Sequence, residues 1–67
     1  MSVAKVTEII SSSTTSFEDA IQKGIARADK TLDGVKGAWI KEQKVEIDGG
    51  KIKEYRVNLL ITFVLKD

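Results

Sequence analysis

Trp39, Gln43 and Arg56 are the side chains of this sequence best suited to holding a small planar molecule: the only indole, an amide two-thirds of the way along, and a guanidinium beyond it. An aromatic face supplies stacking area, and amide or guanidinium groups supply directional donors. Covalent chemistry has no such foothold. There is no His and no Cys, so a catalytic triad, a thiol nucleophile and a zinc site are all excluded. The remaining Ser, Lys and Glu residues form no pattern in which one activates another. We therefore expect a binding protein, not an enzyme.

The elements that must carry these residues read in order. "VAKVTEII" at 3–10 has the Val and Ile content of a short strand. "SSSTTS" at 11–16 is a run of hydroxyls that compete for backbone bonds, so a loop ending in a helix cap is expected there. Thr15 with Glu18, or Ser16 with Asp19, fits a capping box. From there Phe17, Ala20, Ile21, Gly24, Ile25, Ala28 and Leu32 recur at spacings of three and four, with charged residues opposite, as one face of a helix. Gly24 within that stripe points to a close approach, and Gly34 is placed to close the helix in a left-handed conformation. A strand is predicted over Ala38 to Ile47, a hairpin turn at "DGGK", and a third strand over Ile52 to Leu65.

The order β-α-β-β predicts an α+β fold, a three-stranded antiparallel sheet packed on one helix, with 1–67 as one domain. Between Val57 and Leu65 seven of nine residues are apolar, so neither face of that strand suits water. One helix covers one face only; the other must meet a further subunit or a ligand. A regular two-residue turn at Gly49–Gly50 pairs Asp48 with Lys51, Gln43 with Arg56 and Trp39 with Leu60. That register sets Ala38, Ile40, Val57, Leu59, Ile61 and Phe63 beneath the helix. Gly37, Trp39, Gln43, Val45, Ile47, Ile52, Arg56, Asn58, Leu60 and Thr62 then fall on the second face.

Size and charge narrow the partners. A chain of 67 residues buries only about 60% of its unfolded surface and has a marginal core of its own. Without cysteine or histidine to staple it, oligomerisation is the stabiliser that remains. Eleven basic against ten acidic residues, scattered along the chain, give a net charge of +1, which offers no field for a phosphate backbone, so no nucleic-acid partner is expected. No apolar run approaches the roughly 20 residues of a membrane span, and the opening "MSVAKVTEII" lacks the apolar core of a signal peptide. A cytoplasmic protein with no membrane partner is the expectation.

"KVTEIISSSTTSFEDAIQKGIARADKTLD", "IKEQKVEI" and "EYRVNLLITFVL", in this order and at this length, resemble the dodecins over almost the whole chain. The shared pattern includes "TS" before a helix-initiating Phe17 and Tyr55 followed by a polar residue and Val57. The resemblance implies a hollow homododecamer that binds flavin, FMN or riboflavin. In flavin-binding dodecins a tryptophan at the start of the second strand stacks on the isoalloxazine, and a glutamine after the Tyr reads the ring edge. Ungapped alignment puts Gly37 at that tryptophan position and Arg56 at that glutamine. Trp39 lies two residues on, about 7 Å along the same face. This pattern is more similar to dodecin-like proteins without the flavin tryptophan, among them a calcium dodecin.

Two roles for the second face follow. In one, a shell stores or sequesters a planar ligand, with Gly37, Trp39, Gln43 and Arg56 as its cofactor-binding positions. Trp39 stacks on the ligand or packs between subunits, and Arg56 meets the ligand or pairs across subunits with Glu46 or Glu54. In the other, the shell serves ions, and Glu42, repeated where three subunits meet, contributes oxygens to calcium. A purely structural oligomer is the remaining alternative.

Overall fold

A computed structural model of the protein describes residues 3–65. Its elements are β1 (Ala4–Ser13), α1 (Phe17–Thr31), β2 (Val35–Asp48) and β3 (Lys51–Val64). The three strands form one antiparallel sheet in the order β1-β3-β2. The most apolar strand is therefore the central one, and its Val57, Leu59 and Ile61 are fully buried beneath Ala20 and Ala28 of α1. Burying each such aliphatic side chain contributes about 1.5–3 kcal/mol, so this short row dominates the core.

Ser16 is the helix N-cap. Its backbone is extended (φ −170°, ψ 166°) and its Oγ accepts from the Asp19 N–H at 3.0 Å. Of the two capping pairs the sequence offers, the Ser16–Asp19 pair is the one used. At the other end the Leu32 N–H still donates to Ala28 O, at 2.9 Å. Gly34 is left-handed (φ 73°) as expected, but it does not close the helix. It turns the chain into β2, where a Cβ would stand 2.9 Å from Val64 O.

Only the second half of the hydroxyl run is the expected loop, with Thr14 and Thr15 bending into the Ser16 cap. Ser11, Ser12 and Ser13 continue β1, pairing with Val57, Arg56 and Tyr55. Strand geometry is tolerated because the approaching helix satisfies the hydroxyls. Ser11 Oγ donates to Ala20 O at 2.7 Å and Ser13 Oγ to Asp19 Oδ2 at 2.6 Å, while the Thr15 N–H donates to Ser13 Oγ at 2.9 Å. Small side chains are needed here. At Gly24 an added Cβ would lie 2.8 Å from Leu59 Cδ1 and 3.0 Å from Ser11 Cβ. The helix sits so low over β1 and β3 that β2 is left bare, and Ala38 and Ile40, on the helix side by register, are exposed.

The turn is as the sequence predicts: Asp48 pairs with Lys51, and Gly49 and Gly50 both have positive φ (60° and 78°). The strands beyond it are not in simple register. Pairing slips at three places, skipping Lys36 and Lys41 on β2 and Lys53 on β3. The slips at Lys41 and Lys53 are of opposite sense and cancel, so Trp39 does pair with Leu60 as expected. Between them the expected register is off by one: Gln43 pairs with Val57, not Arg56, and Lys44 pairs with Arg56.

Candidate functional site

Directly opposed residues in an antiparallel pair share a face, so the slip at Lys41 decides what the helix-free face displays. Gln43 and Val45, opposite Val57 and Tyr55, belong to the helix side. Both were expected on the other side, and Gln43 is thereby separated from Trp39 and Arg56. Their places are taken by Glu42 opposite Asn58, Lys44 opposite Arg56 and Glu46 opposite Glu54. A bulge of this kind turns over the residues beyond it without any change in the partner strand.

The helix-free face reads as rows across β1, β3 and β2. Val6, Thr62 and Gly37 form one row, Glu8, Leu60 and Trp39 the next, then Ile10, Asn58 and Glu42, then Ser12, Arg56 and Lys44. The face is open: Trp39 is 51% exposed and Ile10 65%. Beside Trp39, nothing lies within 4 Å of where a Gly37 Cβ would be, so the indole borders a clearing. Of the residues singled out from sequence, Gly37, Trp39, Glu42 and Arg56 lie on this face, one in each of the four rows.

Arg56 is paired within its own chain. One guanidinium nitrogen lies 3.2 Å from Glu46 Oε1 and another donates to Glu54 Oε1 at 2.9 Å, with Lys44 Nζ 3.9 Å from Glu46. The carboxylate partners named for Arg56 from sequence are thus the right residues, reached without a second subunit. Its planar fork bridges two carboxylates that stand directly opposite on neighbouring strands, a juxtaposition that is otherwise repulsive. Glu42, by contrast, makes no ion pair among the described residues.

Sequence reasoning missed a polar cluster on the same face. Asn58 Nδ2 donates to Glu8 Oε2 at 3.1 Å, and Lys41 Nζ donates to Glu8 Oε1 at 3.4 Å. The Asn58 amide and then the Lys41 ammonium hold the Glu8 carboxyl below the usual carboxylate range. The signal was present in β1, where Glu8 alternates with Val6 and Ile10 on one face and so cannot point away from the open sheet. No group of three or more side chains able to hold a metal occurs among the described residues.

A small helix-backed sheet whose uncovered face mixes an exposed indole, aliphatics and fixed polar groups defines a subunit of a binding protein, not a catalyst. The sequence matches the Dodecin family over residues 3–66. It is 35% identical to the calcium dodecin of Mycobacterium tuberculosis over 66 residues, covering 98% of this chain and 93% of that protein. With the dodecin of Thermus thermophilus the identity is 37% over 65 residues, covering 97% and 94%. In structure, a T. thermophilus dodecin arginine-to-alanine variant superposes with a TM-score of 0.93 at 36% identity, covering all of this chain and 98% of that one. The M. tuberculosis calcium dodecin, described with a novel calcium-binding site, superposes with a TM-score of 0.82 at 37% identity, covering 96% and 91%.

The chain belongs to the dodecin family, whose members are non-enzymatic binding proteins. Sequence identity does not set it nearer the calcium protein than the Thermus one.

Proposed function

We propose that this chain assembles into a dodecin-type homo-oligomeric shell, twelve copies by analogy with the family, that binds and sequesters a small planar ligand on its inward sheet face. Riboflavin or FMN is the ligand class to test first. The observation that carries this reading is the exposure of Trp39 beside the Gly37 clearing on a sheet face that no part of the chain covers. An isolated subunit of this size does not leave an indole, Val6 and Ile10 in water without a use for them. A planar ring inserted against Trp39 gains stacking area, and neighbouring copies shelter the remaining aliphatics.

A second reading has its own support. Glu42 is a carboxylate on the open face with no ion pair among the described residues, and one curated relative is a calcium dodecin. Copies of Glu42 meeting at a symmetry axis would furnish hard oxygen ligands for calcium.

Native mass spectrometry of the protein purified without added ligand tests assembly and cargo together. The expected result is a closed oligomer. Calorimetric titration with riboflavin and, separately, with calcium then assigns the ligand. Heat from riboflavin alone supports the planar-ligand reading, and heat from calcium alone, abolished in Glu42→Gln, replaces it with the ion reading. A stable monomer at micromolar concentration sinks both.

A further inference from the structure

Glu8, Asn58 and Lys41 form an ordered sequence of hydrogen-bonding groups on the open face, with Glu8 in the same row as Trp39 and two strands across from it. The carboxylate of Glu8 sits between two donors, Asn58 Nδ2 on one oxygen and Lys41 Nζ on the other. Neither donor is exhausted: an amide nitrogen carries two hydrogens and an ammonium three, and each spends one here. The carboxylate has about four acceptor positions, of which two are taken. What remains presents donor, acceptor, donor to the space over the sheet.

That pattern is the complement of an imide, in which one ring N–H lies between two carbonyl oxygens. We infer that Glu8, flanked by Asn58 and Lys41, reads the imide edge of a planar heterocycle, a pyrimidinedione ring system, whose aromatic body leans on Trp39. The inference rests on the planar-ligand reading above and assigns its specificity to residues outside Gly37, Gln43 and Arg56. Glu8 and Trp39 both pair with Leu60, from opposite sides. They are separated by two interstrand spacings, about 10 Å, the length scale of a fused aromatic ring system. Leu60 provides an apolar floor between them, and the Gly37 clearing leaves room beside the indole.

Arg56 cannot do this reading. Its guanidinium offers donors only, so it has nothing to accept the imide N–H, and two of its donors already hold Glu46 and Glu54. The Lys41 bulge serves the cluster as well, because the extra residue is the one whose side chain crosses β3 to reach Glu8.

The test uses the assembled wild-type protein and two probes, riboflavin and its N3-methyl analogue, which keeps the ring and loses the imide N–H. Titrations are followed by flavin fluorescence. Methylation should weaken binding to the wild type by roughly tenfold to a hundredfold, the range for a hydrogen bond to a charged group. Glu8→Ala should weaken riboflavin by a similar factor and bind the two probes equally, since the partner of the N–H is gone. Asn58→Ala, a milder change, should cost riboflavin a few-fold and keep part of the discrimination. Equal affinity of the wild type for both probes overturns the inference, as does full discrimination by Glu8→Ala, and in either case the planar-ligand reading stands. Failure of the wild type to bind riboflavin at all overturns both.

Discussion

Arg56, which the resemblance aligned with a glutamine of flavin-binding dodecins, finds two carboxylate partners within its own chain. Bridging Glu46 and Glu54 relieves two like charges set directly opposite one another. Because these groups are about a third exposed, the benefit is that of a surface network. Arg56→Gln should lower the unfolding free energy by about 0.5–1 kcal/mol in urea titrations at low salt and by less at high salt. Adding Glu54→Gln to the same chain should recover most of the loss. Gly37→Trp meets open space, so Gly37→Trp with Arg56→Gln should fold and bind riboflavin more tightly than the wild type. No gain would count against aligning Gly37 with the family's stacking position.

Glu8 gives this face a pH dependence of determinate sign. Its carboxyl is depressed in the folded protein by Asn58 and Lys41, so the stabilisation is complete above the ordinary carboxylate pKa of about 4.3. It is lost as the pH falls below that value through the folded-state pKa. Carboxyl NMR titration should place Glu8 below the ordinary glutamate value, and Lys41→Met should move it upward. Alternation with Val6 and Ile10 was enough to place Glu8 on a face, but its partners come from two other strands, and no spacing within β1 names them.

Among the elements, α1 was readable throughout and β2 in its existence but not its register, for opposite reasons. The stripe from Phe17 to Leu32 repeats its apolar residues every three or four positions, and those residues are the ones that pack on the core. Gly24 was correctly legible as a close approach. Gly24→Ala would gain up to about 1 kcal/mol of helix propensity but force a Cβ against Leu59 and Ser11, and overpacking costs about 1–3 kcal/mol. A net loss of up to about 2 kcal/mol in chemical denaturation is expected, and an increase in stability would show that the helix can ride higher.

Strand register is read from apolar alternation, and from Lys41 to Glu46 only Val45 is apolar. The pattern is silent just where the slip occurs, so Gln43 was assigned the wrong partner and the wrong face while Trp39, beyond the compensating slip, was assigned the right pairing. The serines of β1 were misread because hydroxyl-rich runs favour loops until a helix arrives to accept their hydrogens, as Ala20 O and Asp19 do here. Asp19 also couples the cap to pH. Lys23, 2.8 Å away, and then Ser13 hold its carboxyl below the usual range.

At the scale of the whole molecule, length mismatch sets the behaviour. Fourteen-residue strands reach about 48 Å while the fifteen-residue helix reaches about 22 Å, and the described chain measures 51 × 19 × 13 Å. β1 pairs with β3 only from Tyr55 to Val64, so the hairpin beyond is a two-stranded arm, ending in exposed Ile47 and Ile52. Two-stranded arms are marginal alone, and this one needs a neighbour. Ile10→Asp, at a position already exposed in the single chain, should leave the subunit fold intact by circular dichroism yet break the oligomer in native mass measurement. An unchanged oligomer would place the subunit contacts elsewhere.

The three residues that the strand pairing skips, Lys36, Lys41 and Lys53, are all lysines. Two lie on the outer strand β2 and the third on the stretch of β3 that β1 does not reach. Every one of these kinks therefore interrupts a border where a foreign ribbon could otherwise zip on, and each plants a positive charge at the interruption. A polypeptide with so much uncovered sheet ought to polymerise into fibres. The slips blunt β2 and the hairpin arm against such growth, whereas β1, the other border, pairs in unbroken register and is the one margin left regular.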